Sequence, residues 1–466
     1  MFVRPLRRIS SFINDATDIA RGVRKGIFGY PFRHSLSNET LKLIFLLVDE
    51  LTRDEWDQKL ETEQEIIYLG LSLSHVCRQW RRVALRTPAL WAGIRICQSE
   101  LPDVSTVTLP KSTRHFLRYS SPLLLYLTLS AENHRILGRL PAQRVRSLVI
   151  YGTLEAIYDA SKQWTTQFPV LEDLIVEVSP LPPPVYGVER ETPIVVDNFF
   201  NFFPFMTWLT LRNVNYIQSF QPIATLRRLT WTMDPQCEME STSFAAFHHL
   251  TDIRYLELDV PNLRGGSFRI ARPLEEVVFK NVGTTTMNAL NRAFPPNLTS
   301  LTITSSEDII YGLLEFLEEP RGERIRKFSL SLVDVRSVVW YQILRRVPNV
   351  ETLELGLTPT LTEPDPLTEL LDALALHQGN IILVPRLSEL RLAGDVLSRI
   401  ERVADFLRVR EVESEMARTQ WIGTVEMLVL PTGYFTMIPE PLAWELESLV
   451  AVLADAALNR LVEPMF

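Results

Sequence analysis

The sequence contains few cysteines and no long apolar run. Cys77, Cys97 and Cys237 stand far apart in a chain of 466 residues and show no metal-ligand spacing. A disulfide framework is therefore not expected, and a reducing compartment, the cytoplasm or the nucleus, is the predicted location. Because no apolar stretch reaches the roughly 18 residues that a membrane-spanning helix requires, the sequence predicts no membrane span.

Basic charge and catalytic motifs are also scarce. The formal net charge is −8, from 48 Lys and Arg against 56 Asp and Glu, which argues against nucleic-acid binding, since that requires a basic surface. The sequence has no phosphate-cradling glycine loop and no Gly-x-Ser-x-Gly nucleophile turn. The adjacent His248 and His249 would point apart on a strand or a helix, so they make a poor metal site. We therefore expect no enzymatic activity, no metal and no cofactor.

The first 33 residues form a basic segment that differs from the rest of the chain. Its charged side chains include Arg4, Arg7, Arg8, Arg21, Arg24 and Lys25, against Asp15 and Asp18. A flexible tail is the favoured interpretation of residues 1–33, and a mitochondrial presequence or a surface-binding helix is the alternative. The chain as a whole, with 46% apolar and 22% charged residues, has the composition of a globular protein. Its length predicts two or more units or a repeat array.

Residues 34–95 contain two helical patterns separated by a polar stretch. In the first pattern, Leu41, Ile44, Phe45 and Val48 recur at spacings of three and four, which places them on one helix face after the candidate cap Ser37. The polar residues 52–66 predict an insertion. In the second pattern, the apolar stripe consists of Leu69, Leu73, Val76, Cys77, Trp80, Val83 and Ala84. This spacing predicts one continuous helix, which Thr87 and Pro88 end.

The motifs of this region resemble the F-box family. The family pattern is matched by Leu36-Ser37-Asn38-Glu39, Ile44-Phe45, Leu73-Ser74-His75-Val76-Cys77-Arg78-Gln79-Trp80 and Pro88-Ala89-Leu90-Trp91. Two departures from it are Ser37, which replaces the usual proline, and the insertion between the two helices. The resemblance implies a small helical module over residues 34–95 that docks on a Skp-type adaptor and, through it, on a cullin ubiquitin-ligase core.

Seven apolar residues are the predicted contacts with that adaptor: Leu36, Leu41, Ile44, Phe45, Leu73, Val76 and Trp80. A short bundle with so broad an apolar stripe cannot bury all of it, and a partner helix can cover the remainder. The alternative for each residue is burial in the core of the bundle, because core and interface share one composition. Trp91 is assigned to the core.

From Leu124 to Leu430 the pattern apolar-x-x-apolar-x-apolar recurs. The central residues of the units are Leu127, Leu148, Leu174, Leu209, Leu229, Leu256, Val277, Leu301, Phe328, Leu353, Leu390 and Leu428. Most of their spacings lie in the range of roughly 20–29 residues that is typical of leucine-rich repeats, which the region resembles in a divergent form. Each unit predicts a short strand with one buried side and a return path that is often helical, so stacked units predict an irregular solenoid over residues 96–439. A β-sandwich is the rival architecture, but the helical connectors argue against it.

The predicted fold class is therefore α/β, with a helical F-box-like module followed by a leucine-rich-repeat-like solenoid. An amphipathic helix within residues 440–466 is predicted to cap the open end of the stack. Strand positions between the buried ones carry charges of both signs, which indicates a solvated face or a surface complementary to one protein partner. Trp208, Trp231 and Tyr255 are candidate contacts there, although a core position is favoured for all three.

The resemblance, which is to fungal-type F-box proteins with such repeats, implies an adaptor subunit that recruits an unidentified protein substrate to an SCF-type ubiquitin ligase. The alternative is a repeat scaffold that engages no ligase because Ser37 and the insertion alter the helix pair. An enzyme with its site in a loop is a third possibility, which no motif supports.

Overall fold

The structure is a computed structural model, and it describes residues 36–58, 69–96, 109–179, 194–195, 199–214, 216–217, 225–233, 239–240, 252–259, 263–264, 274–281, 283, 287, 297–305, 309–318, 320–332, 337–357, 366–375, 383–394, 400–416, 425–431 and 437–455. The basic segment 1–33 and the pair His248 and His249 lie outside these residues. The chain divides into two compact units: Met1–Leu129 with Arg135–Ser147, and Ser130–His134 with Leu148–Phe466. We refer to them as the helical unit and the sheet unit.

In the described part of the helical unit, three helices precede the first strands. They are α1 (Asn38–Gln58), α2 (Leu69–Val76) and α3 (Arg78–Leu85), and a 3₁₀ turn over Pro88–Trp91 follows. Next come β1 (Gly93–Ile96), α4 (Lys111–Tyr119) and β2 (Leu125–Ser130), and β1 pairs with β2 in parallel. Helix α1 continues to Gln58, so the first part of the predicted insertion is helical.

The second helical pattern is divided at Cys77. The apolar spacing predicts one helix across this residue, and that prediction is wrong because α2 ends at Val76 and α3 begins at Arg78. Cys77 has an extended backbone, and its Sγ accepts a hydrogen bond from the backbone N–H of Trp80 at 3.5 Å. Such a cap changes the backbone hydrogen bonds without changing which residue types are apolar, so hydrophobic spacing alone does not reveal it.

In the sheet unit, strands alternate with helices or irregular segments. The strands are β3 (Val145–Gly152, in this unit from residue 148), β4 (Asp173–Val178), β5 (Ile194–Val195), β6 (Trp208–Arg212), β7 (Tyr216–Ile217), β8 (Arg228–Thr232), β9 (Met239–Glu240), β10 (Tyr255–Asp259), β11 (Leu263–Arg264), β12 (Glu276–Lys280), β13 (Ser300–Ser305), β14 (Lys327–Leu332), β15 (Thr352–Leu357), β16 (Glu389–Gly394), β17 (Met427–Pro431) and β18 (Ala451–Asp455). The helices are α5 (Leu154–Gln163), α6 (Ile310–Phe316), α7 (Arg321–Arg324), α8 (Ser337–Arg346), α9 (Pro366–Ala375), α10 (Ile400–Met416) and α11 (Glu440–Leu449). Phe199–Phe202 is a 3₁₀ segment of this unit, while the 3₁₀ segment Ala131–Arg139 is shared with the helical unit and Ala142–Arg144 belongs to the helical unit.

The longer strands of the sheet unit form one sheet in chain order. That order is β3-β4-β6-β8-β10-β12-β13-β14-β15-β16-β17-β18, while β5 with β7 and β9 with β11 form two small separate sheets. Every neighbouring pair from β4 to β18 is parallel. The fold is therefore α/β with a parallel sheet, as predicted at that level. Parallel strands joined by helices do not fit the rival β-sandwich, whose sheets are antiparallel.

The repeated apolar triplets supply one buried side of this sheet. In β15 and the residues before it, Val350, Leu353 and Leu355 are fully buried, and the matching residues of the triplets from Val145 to Leu430 are buried as well. The first triplet differs, because Leu124 is 40% exposed and its neighbour Leu125 is buried. Since alternate residues of a strand face opposite sides, the triplet residues lie on the buried side of the sheet and the residues between them lie on the opposite side.

Strands of the long sheet begin with a backbone hydrogen-bond pattern that is the same from one repeat to the next. The N–H groups of Arg227 and Arg228 both donate to the carbonyl of Thr207, at 2.8 and 3.0 Å. The same two-donor arrangement recurs before each strand of the long sheet from β6 to β17, ending with Glu426 and Met427 on the carbonyl of Ser388. Because the N–H groups before each strand donate to a carbonyl of the preceding repeat, the register between neighbouring strands is fixed where the strands begin. The same bonds satisfy these backbone groups.

Two asparagines close the ends of their strands. Asn213 and Asn281, the partial matches to the repeat asparagine, follow β6 and β12 with φ values of +56° and +50°. The side chain of Asn213 donates to the carbonyl of Val178 at 3.3 Å, and that of Asn281 donates to a carboxylate oxygen of Asp259 at 2.9 Å. Asparagine tolerates this left-handed backbone better than most residues and bonds to the neighbouring strand from it.

The C-terminal segment contains a helix and then a strand. The amphipathic pattern predicts a capping helix within 440–466, but α11 ends at Leu449 and β18 pairs in parallel with β17. Val450 already has extended backbone, and the residues that follow are mostly small or β-branched. The apolar spacing fits a helix to its end, but pairing with an edge strand outweighs that local preference.

Candidate docking surface on the helical unit

Ser37 fixes the start of α1. Its Oγ accepts a hydrogen bond from the backbone N–H of Thr40 at 3.0 Å, and its carbonyl accepts one from Leu41 at 3.0 Å. Ser37 therefore acts as the predicted helix cap, in the place where the F-box pattern carries proline. The departure from that pattern keeps α1 capped at its first turn.

Helix α1 packs on α3 through a small aromatic and aliphatic core. Phe45 is 1% exposed, and its ring lies edge-on to the ring of Trp80 at a centroid distance of 5.1 Å. Leu41, one turn earlier on the same face of α1, is also buried. The side-chain amide of Gln79 donates to the carbonyl of Leu36 at 2.9 Å, which ties α3 to the beginning of α1.

The turn after α3 holds the other side of this core. Trp91 is buried as predicted, and its indole N–H donates to the carbonyl of Ala84 at 2.8 Å. A Cβ atom added at Gly70 would lie 2.9 Å from the carbonyl oxygen of Leu90 and 3.3 Å from the ring of Trp91. Glycine at position 70 therefore allows α2 to approach the turn, and any larger residue would push the two apart.

Among the described side chains from Leu36 to Leu85, six large apolar ones are exposed. They are Leu36, Leu43, Ile44, Leu47, Leu71 and Val76, and we call them the apolar surface. Leu43 and Leu47 are the most exposed, at 68% and 58%, and lie one turn apart on α1. Scattered exposed leucines are common in proteins, but several of them on one short unit mark an interaction site.

The seven predicted contact residues are divided between this surface and the core. Leu36, Ile44 and Val76 are exposed, Leu73 and Trp80 are half-buried, and Leu41 and Phe45 are buried. The stripe through Val76 and Trp80 is thus partly open, whereas Leu41 and Phe45 hold the bundle together.

Sequence reasoning missed Leu43, Leu47 and Leu71. The signal was present, since Leu43 and Leu47 lie off the stripe of Leu41 and Phe45 and therefore on another face of α1. A second apolar face on a helix whose first face is already buried is the feature that predicts an exposed surface.

Basic residues lie on α3, which begins two residues after Val76 of the apolar surface. Arg78, Arg81 and Arg82 are exposed, and the Arg81 side chain donates to the carbonyl of Ser74 at 2.9 Å, at the end of α2. This bond satisfies one of the carbonyl groups that a helix end leaves without a helical partner. The guanidinium groups give the exposed side of α3 a positive potential, which favours an acidic partner.

The sheet unit carries a second candidate surface on the side opposite its apolar triplets, which we call the open face. Trp208, Arg228, Tyr255 and Glu276 are aligned across β6, β8, β10 and β12. Trp231 is buried as predicted, but Trp208 is 39% exposed, so its assignment to the core is wrong. Its position next to Leu209, a buried residue, places it on the other side of the strand, and that alternation is readable from the sequence.

A carboxylate organises the polar residues at the centre of the open face. Glu257 accepts hydrogen bonds from the hydroxyl of Tyr255 at 2.9 Å and from Lys280 Nζ at 2.6 Å. Burial raises the pKa of the Tyr255 phenol, and the charge of Glu257 adds to the increase. Burial also raises the pKa of Asp259, although the hydrogen bond from Asn281 opposes the increase. Tyr255 is thus held neutral and fixed in orientation.

No arrangement typical of catalysis or metal binding is found in the described part of the chain. No cluster of three or more His, Cys, Asp or Glu residues there is placed to hold a metal ion. A cleft of about 400 Å³ beside α7 and α8 is lined by residues that include Glu323, Tyr341 and Arg345, without a nucleophile next to a base. Among the same described residues, no helix has the length and apolar character needed to cross a bilayer. The sequence matches no known family model and no curated protein in comparisons with both.

Proposed function

We propose that the protein is a substrate-recruiting adaptor of an SCF-type ubiquitin ligase, in which the helical unit docks on a Skp-type adaptor protein and, through it, on the cullin core. The observation that carries the proposal is the apolar surface, on helices whose residues resemble the F-box pattern. Leu43, Leu47 and Val76 are exposed to solvent, although a helix pair of this length normally turns such residues inward. A partner helix that covers them would gain the free energy of burying several leucine-sized groups.

We propose further that the sheet unit is an irregular leucine-rich-repeat-like solenoid that recruits the protein substrate. In-order parallel strands, equivalent buried triplets and the repeated hydrogen bonds at the strand entrances support this architecture. Stacked units of this kind present one long row of side chains, as seen from Trp208 to Glu276 on the open face. Such a row is suited to a protein target and poorly suited to a small molecule.

In this proposal the chain performs no chemical step of its own. It holds the target and the ligase in one complex, which raises the effective concentration of the target at the ligase-bound conjugating enzyme. A chain with this role works in the cytoplasm or the nucleus, where the ubiquitin system acts. No cofactor or metal is required for it.

The test measures binding of the purified full-length chain to a purified Skp-type adaptor. The double substitution Leu43→Asp with Leu47→Asp places two charges where the proposed contact is made. Burial of each leucine is worth about 1.5–3 kcal/mol, so the affinity is expected to fall at least about 100-fold. Because both side chains are exposed, the unfolding temperature is expected to change little.

The matched control is Val338→Asp. Val338 is 65% exposed, so it tests the same chemical change at an exposed apolar position of the sheet unit. This variant is expected to bind the adaptor as the unmodified chain does. If the unmodified chain does not bind, or if both variants bind equally well, the docking proposal fails and the repeat scaffold without a ligase becomes the better account.

A further inference from the structure

Arg228 differs from the other arginines of the open face and its borders. Arg212, Arg227, Arg254, Arg326 and Arg391 each form an ion pair with a carboxylate, at distances of 2.7–3.6 Å. Arg228 is exposed, and in the described part of the chain its contacts are with two aromatic rings. Its guanidinium carbon lies 5.1 Å from the ring centroid of Trp208 and 4.8 Å from that of Tyr255.

The two rings hold the guanidinium without using its hydrogen-bond donors. A guanidinium that packs against aromatic faces keeps its N–H groups directed outward in the plane of the group. Tyr255 is itself held by Glu257, whose charge is balanced by Lys280. The arginine is therefore fixed in position before any ligand arrives, so less side-chain entropy is lost when one binds.

A carboxylate is the ligand that this geometry fits. Arginine binds a carboxylate through two parallel N–H···O bonds, and these are stronger than bonds between neutral groups. A dianionic phosphate is a poorer fit, because Glu276 lies in the same row and would repel the additional charge.

Glu276 adds a second element of recognition. It is aligned with Tyr255, which is aligned with Arg228, so two strand spacings separate Glu276 from Arg228. That separation is about 10 Å, which three residues of a polyproline II chain span at about 3.1 Å each, with the first and fourth side chains on the same side of the chain. Glu276 is half-buried and forms no ion pair among the described residues, so it offers a negative charge to a basic side chain.

We propose that the open face binds a segment of a target protein in the polyproline II conformation, in which an Asp or Glu contacts Arg228 and a Lys or Arg three positions away contacts Glu276. The segment crosses the strands over Tyr255, and an apolar side chain beside its acidic residue packs on the exposed part of Trp208. This inference concerns the substrate and rests on the proposed function, but the site lies within the sheet unit and is tested separately.

The experiment selects random dodecapeptides, displayed on phage, on the immobilised full-length protein and on its Arg228→Ala variant. Peptides enriched on the unmodified protein are expected to share an acidic residue with a basic residue three positions away. Individually synthesised members of that set are expected to bind the Arg228→Ala variant at least about tenfold more weakly, since the charge-assisted bonds are lost. Lack of any enriched peptide, or enriched peptides without an acidic residue, would overturn the proposal.

Three further variants separate recognition from stability. Arg227→Ala is the matched control, because the neighbouring arginine is paired with Asp252, and peptide binding is expected to be unchanged. Arg228→Lys keeps the charge but not the two-pronged donor, so intermediate binding is expected. Peptides selected on the Glu276→Arg variant are expected to carry an acidic residue at the position where those selected on the unmodified protein carry a basic one. If Arg228→Ala binds the peptides as the unmodified protein does, the site is misplaced.

The result is distinguishable from failure of the docking proposal. The chain with Leu43→Asp and Leu47→Asp is expected to lose adaptor binding and to keep peptide binding, while Arg228→Ala is expected to do the reverse. Loss of both activities in either variant would contradict the assignment of the two surfaces to separate functions.

Discussion

Leucine side chains are placed differently in the two units. On α1 of the helical unit, Leu43 and Leu47 are 68% and 58% exposed, whereas Leu256 and Leu301 in the sheet unit are fully buried. In the sheet unit the apolar triplet of each repeat packs against the triplets of the neighbouring repeats, and this packing buries its leucines. In the described part of the helical unit no repeated copy covers α1, and Leu43 and Leu47 on its second apolar face are open to solvent.

This difference distinguishes the unit whose leucines are buried within its own repeats from the unit whose leucines are exposed on a helix. The sheet unit buries the apolar triplets of its strands and presents polar and aromatic groups such as Arg228 and Trp208 on its open face, while apolar side chains outside the triplets, such as Val338, are exposed. The helical unit satisfies only one face of α1 through Phe45 and Trp80. Apolar burial is therefore the expected basis of binding for the helical unit, and directed polar contacts are the expected basis for the sheet unit.

The largest expected effect compares two tryptophans of the same sheet. Trp231→Ala removes a fully buried indole and the hydrogen bond from its N–H to the carbonyl of Val214, so the free energy of unfolding is expected to fall by about 3–5 kcal/mol. Trp208→Ala, on the open face of the adjacent strand, is expected to cost less than about 1 kcal/mol, the scale of its contact with Arg228. Urea denaturation measures both. Equal losses would show that the open face is buried.

A comparison within α1 tests the two faces of that helix. Phe45→Ala removes a buried ring that contacts Trp80 and is expected to lower the free energy of unfolding by about 3–5 kcal/mol. Leu47→Ala, two residues away and exposed, is expected to change it by about 0.5 kcal/mol or less. Denaturation followed by tryptophan fluorescence reports both values. A large loss for Leu47→Ala would mean that this leucine belongs to the core.

A smaller effect is expected at the left-handed residue after β6. Asn213→Ala loses the side-chain bond to Val178 and also places an alanine at φ +56°, so an expected loss of about 2 kcal/mol combines the two costs. Asn213→Gly loses the same side-chain bond, but glycine adopts a positive φ without strain, so a loss of about 1 kcal/mol is expected. The difference between the two thermal unfolding curves isolates the backbone contribution. An alanine variant as stable as the glycine variant would argue against a left-handed residue there.

The smallest effect concerns the pH dependence of Asp259. Burial raises the pKa of this carboxyl in the folded state, so its ionised form disfavours folding at neutral pH. As the pH falls through the raised folded pKa and below the unfolded value of about 4, the carboxyl becomes protonated in both states and that cost disappears. Asp259→Asn is therefore expected to unfold at a slightly higher temperature than the unmodified chain at neutral pH, by a margin that shrinks on acidification. A margin that grows on acidification would reverse the assigned direction.

The repeats could be predicted because the same information is written many times. The triplet Val350, Leu353 and Leu355 has the same spacing as that of Leu298, Leu301 and Ile303, and both are fully buried. Errors at single positions, such as Leu124, do not alter the pattern. By contrast, the break at Cys77 occurs once, where the backbone is extended and the Cys77 Sγ accepts a hydrogen bond from the backbone N–H of Trp80, so residue type gave no repeated signal for it.

The candidate surface was predicted only in part for the same reason. Spacing identified Ile44 and Phe45 as apolar residues of one helix, but neighbouring positions on one helix can face a partner or the core. Packing against Trp80 decided that Phe45 is buried and Ile44 is not. The spacing places Leu43 on another face of α1, but the position of α3 against Leu41 and Phe45 decided that this other face is the exposed one.

The sequence by itself determined that the chain has a helical first part, then a series of parallel strands whose apolar triplets face one side. Periodic burial follows from strand geometry and needs no knowledge of distant contacts. The tertiary structure alone decided where α2 ends, that β18 follows α11, and which rings flank Arg228. These features depend on residues that are far apart in the chain or on backbone hydrogen bonds, and neither is encoded in local spacing.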